Sequence, residues 1–110
     1  MKKKRIIFMG TPLIASEYLQ TLINNNFNII GVYTQPPRPK GRGMTVQNSP
    51  VHNEAFKSNI PIFHPDSFTD QKIIDTFINL KADLVIVMAY GKLLPEEILK
   101  VPQSGCINVH

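Results

Sequence analysis

The chain has 110 residues, 43% of them apolar and 18% charged, and a formal charge of +4. That is room for one small domain with a core, and the balance is that of a globular chain rather than a disordered one. A charge so small does not argue for nucleic acid by itself, the single cysteine excludes an internal disulfide and points to a reducing, cytoplasmic setting, and no apolar run nears the ~20 residues of a membrane span.

The start, MKKKRIIFMG, has the basic part of a signal peptide, but its apolar run is too short and Gly10-Thr11-Pro12 follows at once. Lys2, Lys3 and Lys4 therefore read as a solvated lead-in to a strand over residues 5–9. Thr11 as N-cap and Pro12 at the first helical position open a helix. Its stripe of Ile14, Tyr18 and Leu22, joined by Leu19 and Ile23, carries it to about residue 23. Residues 28–34 form a second strand. Residues 35–48, QPPRPKGRGMTVQN, hold three prolines and two glycines and follow no period, which predicts a loop.

Ser49-Pro50 repeats the cap-and-proline device and starts a short helix to about Lys57; residues 60–63 make a third strand. Thr69 is placed to cap a helix over residues 70–80, with Ile73, Ile74, Phe77 and Ile78 as its core face. Residues 83–88, DLVIVM, form a strand apolar on both faces. Pro95, Glu96 and Glu97 open another short helix, with acids where the dipole favours them. Residues 105–110 make the fifth strand. Apolar strands alternating with helices predict an α/β fold: a five-strand parallel sheet with flanking helices on both faces. No repeat and no domain boundary is visible.

In open parallel sheets ligands bind outside the carboxyl ends of the strands, where the strand order reverses. The unusual residues fall at those ends. Gly10, Thr11 and Pro12 follow the first strand, and a helix N-terminus there offers free N–H groups to a substrate carbonyl or anion. A tight turn and a helix cap is the plainer reading of Thr11 and Pro12, and a single Gly is no dinucleotide fingerprint. Tyr90-Gly91 is either a simple strand exit or a place where Gly91 lets backbone approach a flat polar ligand. No acid occurs between Glu17 and Glu54, a stretch holding Arg38, Lys40 and Arg42.

Asn108 and His110, two apart, share one face of the last strand. An amide there can donate to a developing oxyanion, and a neutral imidazole can take and return a proton. That indicates acyl or one-carbon transfer only weakly. Cys106 lies roughly 13 Å along the strand from His110, at ~3.3 Å per residue, so a small buried thiol is the better reading. His52 and His64 read as turn or surface residues, and no metal-ligand spacing is present.

The segments RIIFMGTP, GVYTQPPRPKGRGM, SPVHNEA, VMAYGKLLP and GCINVH together resemble the methionyl-tRNA formyltransferase family, and the resemblance runs the whole length. The Asn-x-His pair alone marks the wider group that uses 10-formyltetrahydrofolate; the TQPxRPxGRG loop points to the tRNA-acting members. The resemblance implies a Rossmann-like formyltransferase fold. It implies transfer of a formyl group from 10-formyltetrahydrofolate to the amine of initiator methionyl-tRNA, with no metal. Asn108 would hold the formyl oxygen and His110 would shuttle the amine proton. Met88, Ala89, Tyr90, Gly91, Leu93 and Leu94 would help form the folate pocket, Gly10, Thr11 and Pro12 the substrate pocket. Arg38, Lys40 and Arg42 would enter the tRNA acceptor region.

Members of that family continue past the Asn-x-His strand, through an aspartate that completes the site with the His to a C-terminal tRNA-binding β-barrel. The expectation is that residues 1–110 are an N-terminal piece of the transferase domain, without significant activity alone. Two other readings stand beside it. One is a formyltransferase for a small amine, against which the basic insertion at 36–48 argues. The other is a non-catalytic α/β remnant, which the absent downstream residues favour for this chain.

Overall fold

A computed structural model describes residues 3–110, so Lys2 of the expected lead-in lies outside the described residues. Five parallel strands form the main sheet: β1 (Ile6–Gly10), β2 (Ile29–Tyr33), β5 (Ile62–Phe63), β6 (Leu84–Met88) and β7 (Cys106–Asn108). Their order is β5-β2-β1-β6-β7. The chain builds outward from β1 through β2 to β5, then crosses back to lay β6 on the other side of β1. The order therefore reverses between β1 and β6, and the crevice at their carboxyl ends is the natural ligand position.

The near-continuous apolar runs follow from burial on both faces. In β1, Ile6 and Phe8 point into one core layer and Ile7 and Met9 into the other. The first layer lies under α1 (Leu13–Asn24) and α2 (Pro50–Lys57) and takes Ala15, Leu19, Leu22, Val51 and Ala55. The second lies under α3 (Gln71–Asn79) and α4 (Glu96–Leu99) and takes Ile74, Phe77 and Ile98. Tyr33 is its centre, its ring 4.9 Å from Phe63, 5.6 Å from Phe68 and 5.8 Å from Phe77. At the amino ends of the strands Arg5 donates to the carbonyls of Leu80 and Lys81, a cation on the C-terminal end of α3.

Several details differ from the sequence reading. Helix α1 starts one residue late, with Pro12 rather than Thr11 at its N-cap, because the Thr11 hydroxyl is engaged elsewhere. Ile14 is 60% exposed; the small Ala15 and Ser16 lie under the sheet in its place, where close approach of helix to strand needs small side chains. Asp70, not Thr69, caps α3, its carboxylate accepting from the Lys72 amide at 2.9 Å. Ile78 stands on the exposed side of that helix. Ser49 caps α2 as expected, its hydroxyl accepting from the His52 amide.

The largest difference is in residues 35–48. They form an antiparallel hairpin, β3 (Arg38–Lys40) and β4 (Thr45–Gln47), closed by a single 3-10 turn at Arg42–Met44. Gly41 and Gly43 have φ of 73° and 78°, values that an L side chain rarely adopts. All of residues 38–48 are exposed. Strands this short, with Pro39 in one of them and no buried face, leave no alternation to read.

Candidate active site

Thr11 sits at the switch point. Its hydroxyl donates to the carbonyl of Tyr90 at 2.8 Å, across from the end of β1 to the end of β6. The Gln35 backbone amide donates to the same hydroxyl at 3.3 Å, and the Gln35 side-chain amide donates to the Tyr90 carbonyl at 3.0 Å. The chain segments leaving β1, β2 and β6 are thus tied at one carbonyl oxygen. Gly10 has a packing reason of its own. A Cβ there would lie 2.8 Å from the Met88 carbonyl oxygen and 2.9 Å from both Ala15 Cβ and the Phe8 ring. Pro12 is exposed beside it.

The segment after β6 is strained and open. Ala89 has φ 51° and Gly91 φ 84°. An alanine held in the left-handed region at a strand's carboxyl end is the sort of backbone departure that clusters at functional sites. Among the described residues, the amides of Gly91, Lys92, Leu93 and Leu94 donate to no backbone carbonyl. Unpaired N–H groups on so short a segment suit the polar edge of a flat heterocycle.

Three hollows surround this segment. One of about 350 Å³ is lined by Val87, Ala89, Tyr90, Gly91, Lys92, Leu93 and Asn108. A second of about 490 Å³ adds Leu94, Leu99 and Cys106 around the same Asn108. A third, about 630 Å³, lies between residues 91–95 and the Asp66–Ser67–Phe68–Thr69 segment before α3. Leu93 is 95% exposed between them, an apolar side chain left uncovered by the described residues.

Asn108 pairs with Val87 across β6 and β7 and faces the same side as Cys106. Its amide thereby meets the residues after β6. The structure does not bring His110 to it: His110 lies beyond β7, is exposed, and lines none of these hollows. Met88 also stands apart, its side chain packing into the core layer under α1, so only its backbone faces the site. The Cys106 thiol donates to the Leu99 carbonyl at 3.6 Å, and burial pushes its pKa up, away from a reactive thiolate.

The phenols of Tyr33 and Tyr90 are buried without a hydrogen-bond partner beneath the site. Burial pushes the Tyr90 phenol up to about 12, and burial together with Tyr90 raises Tyr33 as well. Both remain neutral and serve as bulk. His52 belongs to α2 rather than to a turn. Its ring stacks on His64 at 6.0 Å, and burial followed by the charge of His64 lowers its pKa. Among the described residues no group of three or more His, Cys, Asp and Glu could hold a metal ion.

Arg38, Lys40 and Arg42 are not at this crevice but on the hairpin arm. Alternation places Arg38 and Lys40 with Gln47 and Thr45 on one polar face, and Pro39 with Val46 on the other. Among the described residues none of the three cations is in an ion pair. The arm leaves the body just after Gln35, which ties it to the crevice by position.

A sequence model of the formyl transferase family matches residues 4–110. The chain belongs to the formyl transferase family. It is 48% identical over 106 residues to the methionyl-tRNA formyltransferase of Clostridioides difficile (strain 630), covering 96% of this chain and 34% of that protein. It is 46% identical over 106 residues to the methionyl-tRNA formyltransferase of Alkaliphilus oremlandii (strain OhILAs), again covering 96% and 34%. The chain thus spans 34% of the length of these curated relatives. Among solved structures it is similar to glycinamide ribonucleotide transformylase 1 from Geobacillus kaustophilus, with a TM-score of 0.70 and 13% identity. That likeness covers 99% of this chain and 58% of the other, and shows the shared fold.

Within this formyl transferase fold, the sequence reading did not single out Gln35 or the Asp66–Thr69 wall. Gln35 carries a usable signal, since it too follows the end of a strand at the functional edge. The wall carries none, because only the packing of Phe68 against Tyr33 and Tyr90 brings it there.

Proposed function

We propose that the chain is the N-terminal part of the transferase domain of a methionyl-tRNA formyltransferase. Such an enzyme acts in the cytoplasm at translation initiation and moves a formyl group from 10-formyltetrahydrofolate to the methionine amine of initiator tRNA. A C-terminal tRNA-binding barrel outside these residues belongs to the same proposal. The observation that carries the choice of substrate is the arm. A small amine gives no use to an exposed hairpin whose three cations are in no ion pair among the described residues, whereas a phosphate backbone suits it.

The chemistry we assign to these residues is the following, with His110 entering it on the family resemblance and not on its exposed position beyond β7. The open amides after β6, with Leu93 and Leu94, take the flat ring of the co-substrate. The substrate amine attacks the formyl carbon, forming a C–N bond and a tetrahedral oxyanion. The Asn108 amide donates to that oxygen. His110 takes the proton from the attacking amine and returns it to the folate nitrogen as the old C–N bond breaks. No metal takes part in this scheme.

The test is formylation of methionyl-tRNA by the protein as the cell makes it. Asn108→Ala is expected to lower kcat by a factor of about 10²–10³, as for loss of an oxyanion donor, with tRNA binding kept. Formyl transfer to a small amine such as glycinamide ribonucleotide, with none to methionyl-tRNA, would overturn the reading. So would the absence of any transfer.

A further inference from the structure

We propose that Gln35 is a positioning residue that couples the arm to the co-substrate segment after β6; the inference rests on the function proposed above. The arm's two roots are held together by the buried hydroxyls of Thr34 and Ser49, which hydrogen-bond to each other. Gln35 is the next residue, and Pro36 and Pro37 join it stiffly to β3. From there its side chain reaches back into the crevice. Its amide nitrogen donates to Tyr90 and occupies the space beside Gly91, where an added Cβ would collide with it.

The consequence is geometric. The Tyr90 carbonyl oxygen accepts from both Thr11 and Gln35, which uses both of its lone pairs. The 90–91 peptide is trans and planar, so fixing its carbonyl also fixes the Gly91 N–H on the opposite side. Gly91 lines the hollow that contains Asn108. Gln35 is thus the one side chain that belongs to the root of the arm and sets the direction of an amide in the site. When RNA seats the arm, it seats Gln35. When the co-substrate takes the amides after β6, it favours the same arrangement. Each ligand then raises the affinity for the other by a common factor.

The experiment measures tetrahydrofolate binding to the full-length protein, with and without saturating initiator tRNA. The variants are Gln35→Glu, which keeps the shape but presents an acceptor to the Tyr90 carbonyl, and Gln35→Met, which keeps the length. In the wild type, tRNA is expected to tighten tetrahydrofolate three- to tenfold, the scale of one hydrogen bond gained or lost. In both variants that ratio falls to one, while the melting temperature shifts little. A merely structural Gln35 would lower stability and leave the ratio intact, and that result overturns the proposal. If neither variant folds, amide exchange in the wild type decides. Added tRNA is expected to slow exchange at Gly91–Leu94, and unchanged exchange refutes the coupling. Formylation of methionyl-tRNA is measured alongside. Active wild type with a ratio of one sinks the coupling alone; no formylation sinks the functional reading first.

Discussion

Replacing Gly10 by alanine distinguishes a packing role from a ligand role at the head of the site. The added Cβ would sit 2.8 Å from the Met88 carbonyl oxygen, 2.9 Å from Ala15 Cβ and 2.9 Å from the Phe8 ring. Two of these neighbours are backbone or the first atom of a helix side chain, and Phe8 is fully buried, so none can swing away. Either β6 or α1 must shift, at the upper end of the ~1–3 kcal/mol typical of overpacking. At a urea m-value of ~2 kcal/mol/M that is a midpoint lower by about 1.5 M. Ala15→Gly removes one of the three contacts. Alone it costs ~1 kcal/mol, for helix propensity. If the three contacts act together, the double variant is less destabilised than the sum by about 1 kcal/mol. Urea unfolding followed by far-UV circular dichroism measures all four proteins. A Gly10→Ala midpoint within about 0.2 M of wild type, on the same ~2 kcal/mol/M scale, or strict additivity in the double variant, refutes the packing account. The absence of a side chain would then be for a ligand.

Helix α1 offers a simpler check: Leu19→Ala should cost ~2–5 kcal/mol as a large-to-small change in the core, while Ile14→Ala on the exposed side stays within ~0.5 kcal/mol. Equal costs in urea unfolding would mean the helix is rotated. Serine at Arg38, Lys40 and Arg42 should flatten the log–log salt dependence of tRNA binding by about 2, from three phosphate contacts at ~0.7–0.9 each. The salt slope measures this, and an unchanged slope removes the arm from the RNA interface. Tyr90, pushed up to about 12 from an unfolded value of 10.0, stabilises the fold fully below pH 10, and that contribution is lost as pH rises from 10 towards 12. Tyrosinate absorbance should therefore complete only as the circular dichroism collapses; full absorbance near pH ~11 with a native spectrum contradicts the burial argument.

The parts of the fold that could be read were those set by burial on both faces. Strands β1 and β6 are continuous apolar runs because each lies between two helical layers, whereas a strand with one wet face would alternate. What could not be read depended on non-local partners. Thr11 has the composition and place of an N-cap, but the Tyr90 carbonyl, 79 residues away, takes its hydroxyl. The apolar stripe through Ile14 outweighs the one through Ala15 on the sequence, since periodicity favours large side chains while the close fit beneath a sheet rewards small ones. The hairpin arm lacks a buried face, so no period could mark it. Asn108 was legible as an amide in an apolar strand. Its company came only from the resemblance, because Lys92 and Leu93 meet it through the β6–β7 register and not through any local spacing.

The arm and the crevice lie on different elements, and an enzyme with the function proposed above has reason to join them. Formyl transfer to a macromolecule risks loss of the formyl group to water or to a wrong amine unless the site is completed when the right substrate is present. A rigid sheet edge cannot sense an RNA. An exposed hairpin with paired roots can, provided its position is passed inward. Here the path from arm to site is short: Thr34 and Ser49 clamp the roots, Gln35 turns inward, and the Tyr90 carbonyl receives it. Gly91 follows from the same contact, since any side chain there would displace the Gln35 amide. The residue with the look of a plain strand exit is therefore glycine for two reasons, its backbone angle and its neighbour, and the second links it to the arm.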